Sequence, residues 1–202
     1  LQNLERFEPA HSRQTFLLGM PYAIEAMLLP AIFALLRERA PQAALHSVPY
    51  ERRELGRALA AGQLDIAIDV AEPVRHAALL QEPFCIVVRK DHPLKRRPSL
   101  QQYLNARHIA VSGRASGTVV EDIALLNLGL QRQIALRCQN HYSACRMLAQ
   151  SDHLLTMPRG LAREMAGSTL RLLALPFELP PIQPHLYWHA NTADDPANLW
   201  RR

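Results

Sequence analysis

Residues 55–70 read LGRALAAGQLDIAIDV, and this stretch holds the pattern that decides the fold. Leu55 and Leu59 are spaced as on the buried face of a helix, and Gly62 follows at a position that suits a left-handed helix end. The second half is apolar at every second residue: Leu64, Ile66, Ile68 and Val70. This alternation is typical of a strand, so the stretch predicts a short helix that leads into a strand.

The same succession of strand and helix patterns extends outward along the whole chain. Strands are predicted at 15–20, 43–48, 64–70, 84–89, 108–112, 132–138, 153–157, 170–175 and 185–189. Helices are predicted after residue 20, at 51–61, 99–104, 118–129, 143–150 and 158–167, and from Asp195 onward. Regular alternation of this kind predicts an α/β fold, in which mostly parallel sheets are covered by helices.

Two details of the helices are predicted from local chemistry. Pro30 lies inside the first helical pattern, so that helix is expected to begin near Met27 or to kink. Thr118 and Glu121 have the spacing of a capping box, in which each side chain satisfies a free backbone N–H of the helix start, and Gly129 is expected to end that helix.

Proline-containing breaks predict the domain organisation. They lie near residues 90–98 and 176–184, and the second holds Pro176, Pro180, Pro181 and Pro184. A chain that leaves one lobe, builds another and returns would form a two-lobed clamp. We therefore expect lobe I at 15–90 and 177–202, and lobe II at 91–176.

Composition and motifs exclude several classes of function. The chain has no apolar run long enough to span a membrane, and residues 1–14 lack the order of a signal peptide, so a cytoplasmic protein without membrane contact is expected. The net charge of +5 is spread along the chain. No phosphate loop or dinucleotide glycine pattern is present, and Gly113–Gly117 has Ala115 where a nucleophile elbow needs serine. No enzymatic activity and no cofactor are predicted.

The cysteines do not predict a disulfide framework. Cys85, Cys138 and Cys145 form neither a C-x-x-C pair nor an even set, and reduced, buried thiols are expected. Cys138, His141 and Cys145 could be drawn as zinc ligands, but no fourth ligand stands at a standard spacing.

Several segments resemble, in order and spacing, the effector-binding domain of LysR-type transcriptional regulators. They are residues 19–30, 36–41, 59–68 and 87–94, which include Gly62-Gln63-Leu64-Asp65-Ile66 and Asp91-His92-Pro93-Leu94. The end of the chain, 186–189 and 194–202, is similar to the branch that contains nodulation regulators and salicylate or nitroaromatic sensors.

The resemblance implies a fold like that of the periplasmic binding proteins. Each of two lobes would have a mostly parallel sheet with helices on both faces, two crossover strands would join the lobes, and a small-molecule site would lie in the cleft. A winged helix-turn-helix would precede the domain, residues 1–14 would be the remnant of its linker helix, and DNA would be bound only there. A homodimer or homotetramer is implied. A transport solute-binding protein would share the fold and is the alternative.

Candidate ligand residues follow from the way parallel sheets expose helix starts. Each helix begins at the carboxyl edge of the sheet, where free N–H groups favour an anion, so an aromatic or aliphatic carboxylate is the expected effector. The candidate effector-binding residues are Met20, Pro21, Tyr22, Asp69, Ser112, Arg114, Ser116, His141, Tyr142 and Pro158. Tyr22 and Tyr142 could stack on an aromatic ring. Arg114 could equally face ligand or solvent, and His92 is expected to be satisfied by the backbone.

Overall fold

Two five-stranded sheets organise the structure, a computed structural model that describes residues 8–70, 76–112 and 118–188. The strands are β1 (Thr15–Gly19), β2 (Ala44–Val48), β3 (Ile66–Val70), β4 (His76–Ala78), β5 (Phe84–Arg89), β6 (Arg107–Val111), β7 (Gln133–Cys138), β8 (Leu154–Pro158), β9 (Leu170–Leu173) and β10 (Pro184–Tyr187). The helices are α1 (Tyr22–Arg39), α2 (Leu55–Ala60), α3 (Leu100–Asn105), α4 (Val120–Asn127), α5 (His141–Leu148) and α6 (Arg159–Ala166). Short 3₁₀ turns lie at Pro9–His11 and Arg52–Glu54.

The chain divides into two units, each with its own sheet. Unit 1 comprises the described residues up to Leu80 and from Gln183, with strand order β2-β1-β3-β10-β4. Unit 2 runs from Gln81 to Ile182, with order β7-β6-β8-β5-β9. In each sheet the first three strands named are parallel, and the fourth runs antiparallel to both of its neighbours. The predicted α/β class and the two crossover strands are thus present.

In unit 1 the helices cover opposite faces of the sheet, because side chains alternate along each strand. Ile66, Ile68 and Leu186 pack with Ile24 of α1. The intervening Ala67 and Tyr187 pack with three residues of α2: Leu55, Ala58 and Leu59. Trp188 packs against the cluster on the α1 face.

Unit 2 repeats this layering. On one face, Ile86 and Val88 of β5 pack with Tyr103 of α3 and Leu125 of α4. Helix α6 contacts β5, β8 and β9, and α5 contacts β6, β7 and β8. The mainly apolar strands of this sheet are covered so completely that β8 is buried along its whole length.

The chain leaves unit 1 earlier than the first proline break indicated, and it returns later than the predicted residue 177. Strand β5 pairs with β8 and β9, so the change of unit lies at Leu80–Gln81, and the return lies at Ile182–Gln183. The sequence misplaced this point because β5 has the same composition whichever sheet it joins. The short strand β4 was also missed. Of the expected linker remnant, residues 8–14 hold a single 3₁₀ turn, and residues 1–7 lie outside the described part.

The predictions at helix ends have mixed outcomes. Gly62, Gly129 and Gly167 follow α2, α4 and α6 with positive φ of 68°, 71° and 51°, which favours glycine, although ψ of −140° places Gly167 outside the left-handed helical region. Pro30 lies inside the 18-residue α1, which begins at Tyr22 rather than near Met27. Because Pro30 is exposed, water can reach the carbonyl that loses its N–H partner. The final helix predicted from Asp195 lies outside the described residues.

The predicted Thr118–Glu121 capping box is wrong. The residue that caps α4 is Val119, which has no hydrogen-bonding side chain, and Glu121 is drawn to Arg132 instead. A capping box does exist at α3, where Ser99 Oγ accepts from the Gln102 N–H and Gln102 Oε1 accepts from the Ser99 N–H.

None of the helices in residues 8–70, 76–112 and 118–188 is both long and apolar enough to cross a membrane.

Candidate functional site

Each sheet has a point where its connections change direction. In unit 1, β1 lies between β2 and β3 and is parallel to both, and the helices that follow β1 and β2 cover opposite faces. In unit 2, β6 lies in the same way between β7 and β8. Ligands of open α/β sheets bind outside the carboxyl ends of the strands at such points. The carboxyl edge of each sheet is therefore the candidate ligand-binding region of its unit.

The carboxyl edge of unit 1 is organised by a buried carboxylate. Asp69 of β3 is 1% exposed, and the hydroxyl of Tyr50 donates to its Oδ2 at 2.5 Å. The guanidinium of Arg52 donates to Oδ1 of the same carboxylate. Asp69 was predicted to contact an effector, but the structure shows its carboxylate engaged by two neighbouring side chains. Tyr50 and Arg52 stand in the segment that follows β2.

A glycine makes this arrangement possible. A Cβ on Gly19, at the end of β1, would lie 2.8 Å from Tyr50 Cδ1 and 2.9 Å from Leu64 Cδ1. Such distances are shorter than van der Waals contact, so the ring of Tyr50 can pack here only against a residue without a side chain. Burial and the carboxylate of Asp69 raise the pKa of Tyr50, which keeps its phenol protonated as the donor.

The other predicted residues of this edge differ in what they present. Met20 is 5% exposed and packs in the core with Ile24, so its side chain has a structural role. Pro21 is the residue before α1 and offers no side-chain cap. Tyr22, the first residue of α1, has 51% of its surface exposed. Of the three, only Tyr22 has an exposed aromatic ring.

In unit 2, the carboxyl edge begins with Ser112, which directly follows β6. Its N–H donates to the carbonyl of Cys138, at the end of the neighbouring β7, at 2.9 Å. Ser112 therefore lies beside the end of β7, close to the start of α5. Arg114 and Ser116 lie outside the described residues.

His141 is the polar residue of this edge whose environment is most unusual. It is the first residue of α5, after Asn140, whose Oδ1 accepts from the Ser143 N–H at 2.8 Å. The Nδ1 atom of His141 is buried and has no hydrogen-bond partner in the described part of the chain. Burial lowers the pKa of His141 to about 4, so the imidazole is neutral near pH 7. The neighbouring Tyr142 is 61% exposed.

Pro158, the last predicted residue of this edge, ends β8 and precedes α6. It is buried, and it supplies no side-chain cap to the helix. The N–H of Gly160 donates instead to Oε1 of Glu82, at 2.5 Å. An internal carboxylate thus already stands where an anionic ligand was expected.

A buried ionic cluster, which sequence reasoning missed, lies beside α4. The Arg132 side chain is 1% exposed, and it donates to Glu121 Oε1 at 3.0 Å and to Asp122 Oδ1 at 2.6 Å. Its third contact is the hydroxyl of Tyr103, at 3.2 Å, and that hydroxyl also lies 2.7 Å from Thr156 Oγ1. Charges lying ten and eleven residues apart gave no local pattern to find.

Contacts in the structure also bear on the expectations for His92 and the cysteines. His92 is bonded to backbone through both ring nitrogens: Leu94 N–H donates to Nδ1 at 3.0 Å, and Nε2 lies 3.1 Å from the Asp152 carbonyl. The expectation that the backbone satisfies His92 is confirmed. The three cysteines are free. Among the residues that the structure describes, no group of three His, Cys, Asp or Glu side chains could hold a metal ion.

Comparison of the sequence and the fold with known proteins identifies the family of this chain. The family model described as the LysR substrate binding domain matches residues 9–201. The chain belongs to the LysR family. Within it, this domain is 30% identical to the HTH-type transcriptional activator NahR of Pseudomonas putida, an alignment that covers 100% of the chain and 69% of NahR.

Solved structures place the LysR domain in the same fold. A probable transcriptional regulator from Pseudomonas aeruginosa aligns with a TM-score of 0.86 and 31% identity, covering 98% of this chain and 68% of that one. The effector-binding domain of BenM, solved with its effector benzoate, aligns with a TM-score of 0.74 and 14% identity over 93% of this chain and 87% of that one. The latter likeness concerns the fold alone. The chain is thus a LysR substrate-binding domain of a transcriptional regulator, and the family match favours this interpretation over a transport protein.

Proposed function

We propose that this LysR domain binds a small carboxylate effector, and that His141 is one of its contacts. The observation that carries the proposal is the buried Nδ1 atom of His141, which lacks a partner among the described residues at the carboxyl edge of unit 2. An unsatisfied buried polar atom costs about 1–3 kcal/mol, and a ligand that bonds it would recover that free energy. The domain is proposed to bind without turnover.

The chemistry of the edges supports a carboxylate. Ser112 and the first residues of α5 provide hydroxyl and N–H groups, and the positive end of the helix dipole favours negative charge. Tyr142, the neighbour of His141, carries an exposed ring that could contact an aromatic effector. BenM, with the same fold, is solved with benzoate, which makes benzoate a suitable first probe. Arg114 and Ser116 remain proposed contacts.

Binding of a carboxylate is expected to take up a proton. A carboxylate beside His141 raises the pKa of the imidazole above its value of about 4 in the free protein. Affinity should then increase as pH falls from 7 toward 5. Calorimetry with benzoate, salicylate and hexanoate, in buffers of different ionisation enthalpy, measures both the dissociation constant and the proton uptake.

Substitution identifies the contact. His141→Gln should weaken binding about tenfold and remove the proton uptake, because one hydrogen bond to a charged group is lost. His46→Gln, at an exposed position of β2 in unit 1, is the matched control. Arg114→Ala and Ser116→Ala test the two residues outside the described part. Binding that is unchanged in all three site variants would show that the effector lies elsewhere.

We also propose that copies of the domain associate through apolar surfaces. On α1, Phe33 and Leu35 are 51% and 49% exposed, and on α4, Ile123 and Leu126 are each 49% exposed. Because these side chains are only half exposed, burying each of them in a homodimer or homotetramer would contribute about 0.7–1.5 kcal/mol. Sedimentation of Phe33→Glu and Ile123→Glu, with Arg37→Glu as control, should show smaller species for the first two.

The intact regulator is proposed to act in the cytoplasm and to bind DNA through a domain outside this chain. An effector changes its output only as far as it binds one state more tightly than the other. A reporter gene that responds to the bound carboxylate in the wild type, but not with His141→Gln, would test this step.

A further inference from the structure

Glu82 stands where the chain passes between the two units. The chain leaves unit 1 at Leu80–Gln81 and returns at Ile182–Gln183. The segments 79–84 and 182–184, in which the chain changes unit, are joined by backbone hydrogen bonds. The Glu82 N–H donates to the Ile182 carbonyl at 2.8 Å, and the Ile182 N–H donates to the Glu82 carbonyl at 2.9 Å. The Leu79 N–H adds a bond to the Pro184 carbonyl at 2.9 Å. We call these two segments the crossing segments.

The side chain of Glu82 reaches a third element. Its Oε1 accepts from the N–H of Gly160 at 2.5 Å, and the next residue's carbonyl, that of Pro83, accepts from the Arg159 N–H at 2.7 Å. Arg159 and Gly160 are the first two residues of α6, which has no cap of its own because Pro158 precedes it. The crossing segment therefore supplies the cap that the local sequence of α6 lacks.

The helix start is shaped to receive this carboxylate. A Cβ on Gly160 would lie 3.0 Å from Glu82 Oε2 and 3.2 Å from its Cδ, closer than ordinary contact. Pro158 at the cap and Gly160 at the second helical position thus both leave room and bonding capacity to Glu82. The residues at positions 158 and 160 thus both suit a cap from Glu82, which lies 78 positions before Gly160 in the chain.

From these contacts we propose that Glu82 is a positioning residue that couples the start of α6 to both crossing segments. The Glu82 carboxylate is bonded to the start of α6, and the Glu82 backbone is bonded to Ile182. A movement of the start of α6 should therefore also move the segment at 182–184. If the proposed function holds, effector binding at the carboxyl edge of unit 2, near Pro158, would change the conformation of the crossing segments through Glu82.

Hydrogen exchange without ligand tests the coupling. In Glu82→Ala, the amides of Gly160, Ile182 and residue 82 should all exchange about tenfold faster, the change expected from losing a hydrogen bond to a charged group. Glu82→Gln keeps an acceptor oxygen and should restore part of the protection. Glu164→Ala, an exposed acidic residue of the same helix, is the matched control and should change none of the three.

A double-mutant cycle separates coupling from local helix effects. Alanine is a better helix former than glycine, so Gly160→Ala alone would protect α6 if only local propensity mattered. With Glu82 present, the added methyl should displace the carboxylate and speed exchange at Ile182. With Glu82→Ala, the same substitution should be neutral or protective. Faster exchange confined to Gly160, or additive effects in the cycle, would overturn the proposal.

The effector arm uses benzoate as the probe. Benzoate bound to the wild type should alter exchange of the Ile182 and Gln183 amides, and Glu82→Ala should bind it within about threefold of wild-type affinity but lose that alteration. A persisting alteration in Glu82→Ala contradicts the coupling. Failure of any carboxylate to bind the wild type counts against the proposed function alone, because the ligand-free exchange already decides the role of Glu82.

Discussion

The hydroxyl of Tyr50 and the carboxylate of Asp69 are joined by a hydrogen bond of 2.5 Å at the carboxyl edge of unit 1. Asp69 belongs to β3 and Tyr50 follows β2, so this bond connects two strands that are separated in the sheet by β1. The ring crosses β1 above Gly19, where a side chain would collide with it. The geometry of the edge therefore depends on one residue that has no side chain.

Gly19→Ala should destabilise unit 1 by about 1–3 kcal/mol, because a new Cβ would lie 2.8 Å from the Tyr50 ring. Gly56→Ala is the matched control: its Cβ would meet nothing within 4 Å, and it lies within α2, where alanine should add up to about 1 kcal/mol. Urea unfolding should show a lower free energy of unfolding for Gly19→Ala and an equal or higher one for Gly56→Ala. Equal effects would contradict the proposed packing of Tyr50 on β1.

Ser99→Ala and Thr118→Ala should differ, although both residues have the spacing of a capping box. Ser99 Oγ accepts the bond from the Gln102 N–H at the start of α3, and alanine cannot replace that acceptor, so Ser99→Ala should cost about 1 kcal/mol. Thr118 makes no cap bond to α4, and its loss should change stability by less than about 0.5 kcal/mol. Thermal unfolding measures both effects. If Thr118→Ala lowered stability as much as Ser99→Ala, Thr118 would cap α4 as the sequence predicted.

Arg132→Met should be among the most destabilising single substitutions in unit 2. It leaves the carboxylates of Glu121 and Asp122 without their buried partner, at a cost of about 3–5 kcal/mol. Burial already raises the pKa of Glu121, and Arg132 opposes that rise. Without Arg132 the pKa rises further, so the variant should recover stability as pH falls and Glu121 takes up a proton. Arg37→Met, on the exposed side of α1, should change stability little at any pH.

His108 should make the domain sensitive to acid. It is fully buried, with Nε2 2.7 Å from the Tyr103 carbonyl, and burial lowers its pKa from 6.5 to about 4. The folded state therefore prefers the neutral ring: its stabilisation is complete above pH 6.5 and is lost as pH falls toward 4, by up to about 3 kcal/mol. Between pH 7 and 4, the free energy of unfolding should fall less steeply with pH in His108→Gln than in the wild type. An unchanged slope would assign the acid sensitivity to other groups.

What the sequence could predict was set by local periodicity. The alternation at 64–70 and the glycines at 62, 129 and 167 depend on neighbouring residues, and the structure has them as strand and helix ends. The sheet to which β5 belongs depends on β8 and β9, which lie about seventy to ninety residues further along the chain, and no local pattern carries that information.

The site residues divide in the same way. Placing them at strand ends required only the α/β pattern, and the described ones do lie at the carboxyl edges of the sheets. Whether a side chain there meets ligand or protein depends on distant partners. Asp69 is held by Tyr50 and Arg52, and Pro158 precedes a helix capped by Glu82, so both edges are partly filled from within.

The position of β10 has a consequence for synthesis on the ribosome. Strand β10 lies between β3 and β4, yet it is made after all of unit 2. Unit 2 draws its five strands from one uninterrupted stretch and can close as soon as β9 emerges. Until residues 184–187 follow, β3 and β4 have an apolar gap between them. A nascent chain that has emerged from the ribosome up to about residue 182 should therefore have a protease-resistant unit 2 and an incomplete, protease-sensitive unit 1.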